Sequence, residues 1–394
     1  MIAVRSLDHA DLEAAAAIRV QAFGLAPQER AAWLDSVSAE RMLGAYEGGR
    51  LVGTLIVHSV GQFLGGRSVP TGAIGGVAVA PESRRRGVGA ALLDAALRRM
   101  HDEGLVWSIL HPATMRPYRN LGWQVAADFP HITIPTRLLA EAAGPEVGSV
   151  RRAEPPDVEA LVACYRSVAA RRHGWLDRPQ EWAVSRLMPA FTDGHHVAVV
   201  DGPTGVDGYV RWTQGRTPDG CFRLDVHDLV ATDARAQRTL WGVLGANSTQ
   251  IAQAALHGGA TADALNLVLA NPGVEAVRDT RLMARAVDPV GALTARGYAE
   301  GVRVTVDLDL IDEHAPWAGG GYRLAVEDGR ASVARAVVGP DAVSVPAAAV
   351  GPLVTGYVDP STLRDLGWIR GDAAALERLA AAFAGPRPTI ADDF

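Results

Sequence analysis

The stretch Val77–Ala90 reads VAVAPESRRRGVGA. Small apolar residues run into a turn at Pro81, three arginines follow at Arg84, Arg85 and Arg86, and Gly87 and Gly89 bracket Val88. Just downstream, Val88, Leu92, Leu93, Ala96, Leu97 and Met100 recur at the spacing of one helical face. The pattern predicts a strand that feeds a helix over Gly87–Met100 through an Arg-rich turn. Such a turn presents unpaired backbone N–H groups at the positive end of the helix dipole. Two glycines let a ligand approach the backbone, and the arginines add charge-assisted hydrogen bonds, so the stretch suits a pyrophosphate. A solvated basic turn is the alternative reading. The spacing is neither the dinucleotide GxGxxG nor a P-loop with its Gly-Lys-Ser/Thr, which weakens nicotinamide and ATP readings.

Working outward, Asp11–Phe23 has helical spacing, Arg41–Tyr46 and Leu51–Val60 read as a hairpin, and Gly72–Val79 is the strand entering the turn. Trp107–Leu110, Trp123–Val125 and His131–Ile134 supply further strands, with Tyr118 in a helical turn after Pro117. Together these make an α/β unit.

The whole chain has 394 residues, which exceeds one ordinary core and implies two or three domains. Its net charge of -6 offers no basic field for nucleic acid, so no nucleic-acid partner is expected. Cys164 and Cys221 lack CxxC or Cys/His spacing, which fits a reducing compartment and argues against a disulfide framework or zinc. Arg5, Asp8, Asp11 and Glu13 break the amino terminus, leaving no apolar export segment; a cytoplasmic location with no membrane association is the expectation. Thr239–Ala262 has no Asp, Glu, Lys or Arg, but its Asn247, Gln250 and Gln253 make it a helix of a water-soluble domain rather than a membrane span.

The Gly-, Pro- and charge-rich segment Ala143–Asp157 marks a boundary. Beyond it the order of elements repeats: a helix at Val158–Ala170, strands at His196–Val200, Gly208–Thr213 and Phe222–Val230, then VATDARAQRTLWGVL over Val230–Leu244. Laid on VAPESRRRGVGAALL, this copy puts Arg238 and Leu240 at the two glycine positions, so a ligand needing close backbone approach is excluded from it. After a closing strand at Arg281–Val287, strands around Val302–Leu310, Tyr322–Val326, Ala331–Val338 and Ala342–Val345 precede helical spacing over Ala347–Thr355, Ser361–Leu366 and Asp372–Phe383, a third domain. The expected boundaries are 1–145, 146–285 and 286–394.

Arg84–Gly89 matches Arg-x-x-Gly-x-Gly, and between strand and helix it resembles the acetyl-CoA loop of the GCN5-related N-acetyltransferases, GNAT. With PYRNLGW at Pro117–Trp123, the final Phe394 and the three-domain order, the chain resembles the Eis (enhanced intracellular survival) family. The fold this implies is α/β (α+β): tandem GNAT-like domains, the second degenerate, followed by a sterol-carrier-protein-like α+β domain whose C-terminus reaches the active site. The resemblance implies transfer of acetyl from acetyl-CoA to primary amines, including those of aminoglycosides, by direct attack without a metal, in a homohexamer. It assigns Val77, Ala78 and Val79 to the pantetheine arm, Arg84, Arg85, Arg86, Gly87, Val88, Gly89 and Ala90 to the pyrophosphate, and Ala113 and Thr114 to the acyl-CoA.

By the same resemblance Tyr118 is the general acid; a phenol with a pKa of about 10 is protonated at neutral pH and can donate to a thiolate. The base is the carboxylate of Phe394, ionised at pH 7. Packing of Tyr118 and fraying of the chain end are the structural alternatives. Phe23, Trp33 and Asp393 match the family's amine site, although Phe23 and Trp33 serve equally well as packing residues. In FGLAPQER, Gly24 and Leu25 stand where an antibiotic-modifying member has acidic and polar residues, and the connection to Trp33 is shorter. His195, His196, His227, Asp307 and Asp309 show no metal-ligand spacing. The acceptor expected is a small polyamine or aminoglycoside-like amine; a protein lysine acceptor and a non-enzymatic acyl-CoA or lipid-binding role are the alternatives.

Overall fold

Long apolar runs such as Leu51–Val57 have the β-branched content and near-continuous burial of strands covered on both faces. In the computed structural model, which describes residues 2–145, 148–192, 194–217, 219–257, 261–270 and 274–394, they form inner strands of a mixed sheet. Residues 146–147 of the expected boundary segment lie outside the described residues. The chain divides into two compact units: Met1–Ala127 with Leu282–Arg387 and Asp393–Phe394, and Asp128–Arg281 with Pro388–Asp392.

The first unit begins with β1 (Ile2–Ser6), α1 (Leu12–Phe23), α2 (Pro27–Ser36), β2 (Met42–Glu47), β3 (Arg50–Leu64), β4 (Arg67–Val79), α3 (Val88–Asp102), β5 (Trp107–Leu110), the single turn α4 (Arg116–Arg119) and the start of β6 (Gln124–Pro135). Strands β1 to β4 are antiparallel neighbours in chain order, whereas β5 joins β4 in parallel after the crossover through α3. All six apolar positions of the α3 stripe are buried, packed with Leu43, Val52 and Leu55 of the sheet. Burial of each of the larger side chains, Val88, Leu92, Leu93, Leu97 and Met100, contributes about 1.5–3 kcal/mol.

The second unit contains the rest of β6, α5 (Thr136–Ala143), β7 (Arg151–Arg152), α6 (Val158–Ala169), β8 (Leu176–Asp177), α7 (Gln180–Leu187), β9 (His195–Gly202), β10 (Gly205–Arg216), β11 (Phe222–Ala231), α8 (Ala234–Gly245), β12 (Gln253–His257), α9 (Thr261–Val268) and the first half of β13 (Glu275–Ala286). Its strands run in the order β6-β12-β11-β10-β9-β7. Two expectations are corrected. Trp123–Val125 and His131–Ile134 are parts of one strand, β6, rather than two, because Ala126 to Phe129 stay extended and buried between them. The stretch Thr239–Ala262 is not one helix: α8 stops at Gly245, the Asn247 side-chain amide bonds back to the Val243 and Leu244 carbonyls, and β12 pairs with both β6 and β11. Side chains that compete for the helix's own carbonyls favour a helix end and turn.

The chain then completes the first unit with α10 (Pro289–Ala295), β14 (Val304–Ile311), β15 (Gly320–Glu327), β16 (Arg330–Arg335), β17 (Val343–Pro346), α11 (Ala347–Val354), α12 (Pro360–Asp365) and α13 (Ala373–Phe383). These four strands make a separate sheet, ordered β16-β15-β14-β17. Among the described residues no helix is long and apolar enough to cross a membrane.

Candidate active site

Strand β4 is held by β5 only as far as Ile74↔Leu110; beyond that pair the register ends while β4 continues to Val79. On its other edge β4 remains paired with β3, through Thr54↔Ala78 and Gly53↔Val79, after a bulge opposite Gly76. Val77, Ala78 and Val79 therefore lie on a strand with one edge unclaimed by β5, a ready position for backbone hydrogen bonds to an extended ligand. Gly76 adopts φ +56°, a conformation that favours glycine.

The Arg-rich turn follows. Gly87, at φ +85°, is the N-cap of α3 and gives no side-chain cap; the first helical hydrogen bond is Ala91 N–H to the Gly87 carbonyl, 3.0 Å. The N–H groups of Val88, Gly89 and Ala90 precede that bond and start the helix. No atom lies within 4 Å of where a Gly87 Cβ would stand, so the approach is open. Arg84, Arg85 and Arg86 are exposed; Arg84 Nε donates to the Val79 carbonyl at 3.3 Å, Arg86 pairs with Glu47, and Arg85 holds φ +61°. An uncapped helix start beside three guanidiniums is suited to a diphosphate.

The second copy is built differently. Helix α8 starts after Asp233, whose carboxylate accepts the Ala236 N–H at 2.7 Å. In the alignment of the two copies, Asp233 falls at Glu82, five residues ahead of Gly87. An extra helical turn thus fills the place of the glycine loop, and the protein's own carboxylate occupies the anion position.

Tyr118 sits on α4, which leads from β5, and is 8% exposed within the cluster that holds α3. Burial pushes its phenol above the usual 10, so it is a proton donor at neutral pH. Among the described residues its hydroxyl has no hydrogen-bond partner within the protein. The Tyr118 carbonyl accepts from Leu121 N–H at 3.0 Å and Trp123 N–H at 3.1 Å, and Arg285 donates to the Leu121 carbonyl. Arg285 is fully buried and binds both oxygens of Asp312, at 2.9 and 2.7 Å, so a long-range ion pair braces the tyrosine turn. Ala113 and Thr114 are exposed on the connection between β5 and α4.

Phe394 returns to this unit. A Cβ built on Gly75 would meet the Phe394 carboxyl carbon and oxygen at 3.2 Å each, and the Phe394 ring lies 4.9 Å from the ring of His111, immediately after β5. The carboxyl group is thus at the point where β4 and β5 separate. Asp393 is exposed. Phe23 is 46% exposed and Trp33 is half-buried; both rings face the guanidinium of Arg19, at 5.4 and 4.8 Å. Arg19 Nη1 in turn donates to the Gly76 carbonyl at 3.3 Å. Neither Arg19 nor Arg285 stands out in the sequence; an arginine four residues before Phe23 on one helix face was the only available signal for the first.

Comparison with known proteins accords with this geometry. Models of the GNAT acetyltransferase domain match residues 3–126 and 174–304, and a sterol carrier protein domain model matches residues 289–391. The N-acetyltransferase Eis of Mycobacterium tuberculosis is 28% identical over 385 residues, covering 92% of each chain. An uncharacterized N-acetyltransferase of Streptomyces avermitilis is 30% identical over 308 residues, 73% of this chain and 72% of that one. The structure of a GCN5-related N-acetyltransferase from Anabaena variabilis superposes with a TM-score of 0.92 at 25% identity over the whole of both chains. The chain, an acyl-CoA-dependent acetyltransferase, therefore belongs to the Eis family of GCN5-related N-acetyltransferases.

Proposed function

We propose that the first GNAT domain transfers acetyl from acetyl-CoA to the primary amine of a small polyamine or aminoglycoside-like acceptor, with Tyr118 as general acid and the Phe394 carboxylate as base. The carrying observation is the Phe394 carboxyl against Gly75, where β4 leaves β5 and within the unit that contains the uncapped start of α3. Arg84, Arg85 and Arg86 with the N–H groups of Val88 to Ala90 hold the pyrophosphate, Val77 to Val79 offer backbone to the pantetheine, and Ala113 and Thr114 flank the acyl end. Acetyl-CoA supplies the activated acyl carbon. As the amine nitrogen bonds to that carbon and the carbon–sulfur bond breaks, the Phe394 carboxylate takes the amine proton and Tyr118 gives its proton to the departing thiolate. A carboxylate is a weak base, so its contribution lies mainly in position.

The experiment compares CoA release by the intact chain, a chain lacking Phe394, and Tyr118→Phe, with acetyl-CoA binding measured in parallel. Loss of roughly 10²-fold in turnover in each variant, with binding retained, is the expected result. Full activity without Phe394 removes the base from the scheme.

A further inference from the structure

Arg19 brings a positive charge beside Phe23 and Trp33, the residues expected to receive the acceptor amine. It projects from α1, stacks its guanidinium over Trp33 and Phe23, and donates to the carbonyl of Gly76, next to the glycine that carries the Phe394 carboxyl. Its Nε is buried without a hydrogen-bond partner, and burial lowers its pKa. Burial, with Arg41 and Arg19 adding to it, also drives the His58 imidazole down to about 4, so that ring is neutral at pH 7. Among the described residues no carboxylate pairs with Arg19. The nearby acids are used elsewhere: Glu13 pairs with Arg30, Glu29 accepts the Ala26 N–H at 2.7 Å, and Asp11 takes the Tyr46 hydroxyl at 2.6 Å.

The Phe394 carboxylate stands against the neighbouring Gly75 but makes no ion pair with Arg19. A half-desolvated guanidinium with aromatic walls and no carboxylate bonded to it is costly as it stands and becomes favourable when an anion completes it. It also repels a second cationic group on the acceptor. We infer that Arg19 determines acceptor specificity, and that the preferred acceptor is a primary amine that also carries an anionic oxygen group, a carboxylate or a phosphate ester, received by this guanidinium. The inference rests on the acetyl-transfer reading above and replaces its polyamine or aminoglycoside-like acceptor with an amine that carries an acidic group.

Four amines of one chain length separate the possibilities: a diamine, an ω-amino carboxylic acid, the primary amide of that acid, and an ω-amino alkyl phosphate. Each is tested with the full chain for turnover with acetyl-CoA and, by calorimetry, for binding in the presence of CoA. The amino acid or the phosphate is expected to exceed the amide and the diamine at least tenfold in kcat/KM and in affinity, and which of the two leads identifies the anion. Arg19→Gln should bring the ratio of acid to amide close to one, and Arg19→Lys should restore part of it; thermal melting checks that both variants fold. Equal use of amide and acid, or a preference that persists in Arg19→Gln, overturns the inference while leaving acetyl transfer intact. No turnover of any of the four amines overturns the acceptor assignment, even where Arg19→Gln abolishes a binding preference, because none of them is then an acceptor.

Discussion

Tyr118 combines two properties that rarely coincide in a buried phenol: its ring is part of the core, yet its hydroxyl is not tied to another group of the protein among the described residues. Removing the hydroxyl therefore leaves no orphaned partner, and Tyr118→Phe should melt within about 0.5 kcal/mol of the parent, as expected where no buried hydrogen bond is lost. A large loss of turnover at unchanged stability would separate proton donation from packing. Burial raises the phenol's pKa, so the acid form persists through neutral pH and the alkaline fall in kcat due to this group should lie above about 10, its ordinary value. A kcat profile that already declines near pH 8 through a group absent from Tyr118→Phe would contradict this. In the sequence Tyr118 stands out through the resemblance of PYRNLGW to a family motif, since the residues alone read equally as packing. The brace behind it does not stand out, because Arg285 and Asp312 reach the turn from far along the chain.

At the scale of elements, β4, the turn and α3 are written almost completely in one stretch of sequence, since a strand, two glycines, three arginines and an amphipathic stripe act through neighbours. What that stretch does not contain is the unpairing of β4 from β5 and the approach of Arg19 to Gly76, which depend on residues remote in sequence. The misread Thr239–Ala262 stretch has the same cause: its helix end is set by side-chain amide bonds and by two strands that recruit β12. Gly87 offers a direct test of the turn. Its left-handed φ of +85° penalises any Cβ, but no atom lies within 4 Å to clash with one. Gly87→Ala should thus cost about 1 kcal/mol of stability from conformation alone. Acetyl-CoA affinity, read by calorimetry, should fall several-fold as the N–H groups at the helix start shift. Unaltered affinity in a strained but folded variant would show that the turn does not hold the pyrophosphate.

On the scale of the whole molecule, the second unit retains the GNAT order but has turned its interior to another use. Arg178 is fully buried between two carboxylates, bonding Asp392 at 2.9 Å and Asp228 at 3.2 Å; Arg211 binds Asp228 at 3.0 Å and the Tyr165 hydroxyl donates to Asp392 at 2.9 Å. The segment Pro388–Asp392 is thereby fixed, with Thr389 N–H on the His173 carbonyl and Ile390 N–H on that of Asp128. None of this was legible from the sequence, where Arg178 and Asp392 are isolated letters 214 residues apart. Breaking a buried ion pair from one side strands the remaining charge, so Arg178→Met should destabilise this unit by about 3–5 kcal/mol. Burial alone would raise the Asp228 carboxyl, but the guanidiniums of Arg178 and Arg211 hold it down at about 2. A carboxyl depressed in the folded state adds stability above its unfolded pKa of about 4, and that stability is lost as pH falls through the folded value. Urea unfolding followed from pH 7 to pH 2 should therefore show the parent losing stability mainly between pH 4 and 2. The gap between parent and Arg178→Met should narrow over the same window, because protonating Asp228 removes the charge that the variant leaves without its guanidinium. A gap that stays constant down to pH 2 would mean that Asp228 does not need Arg178 to remain ionised.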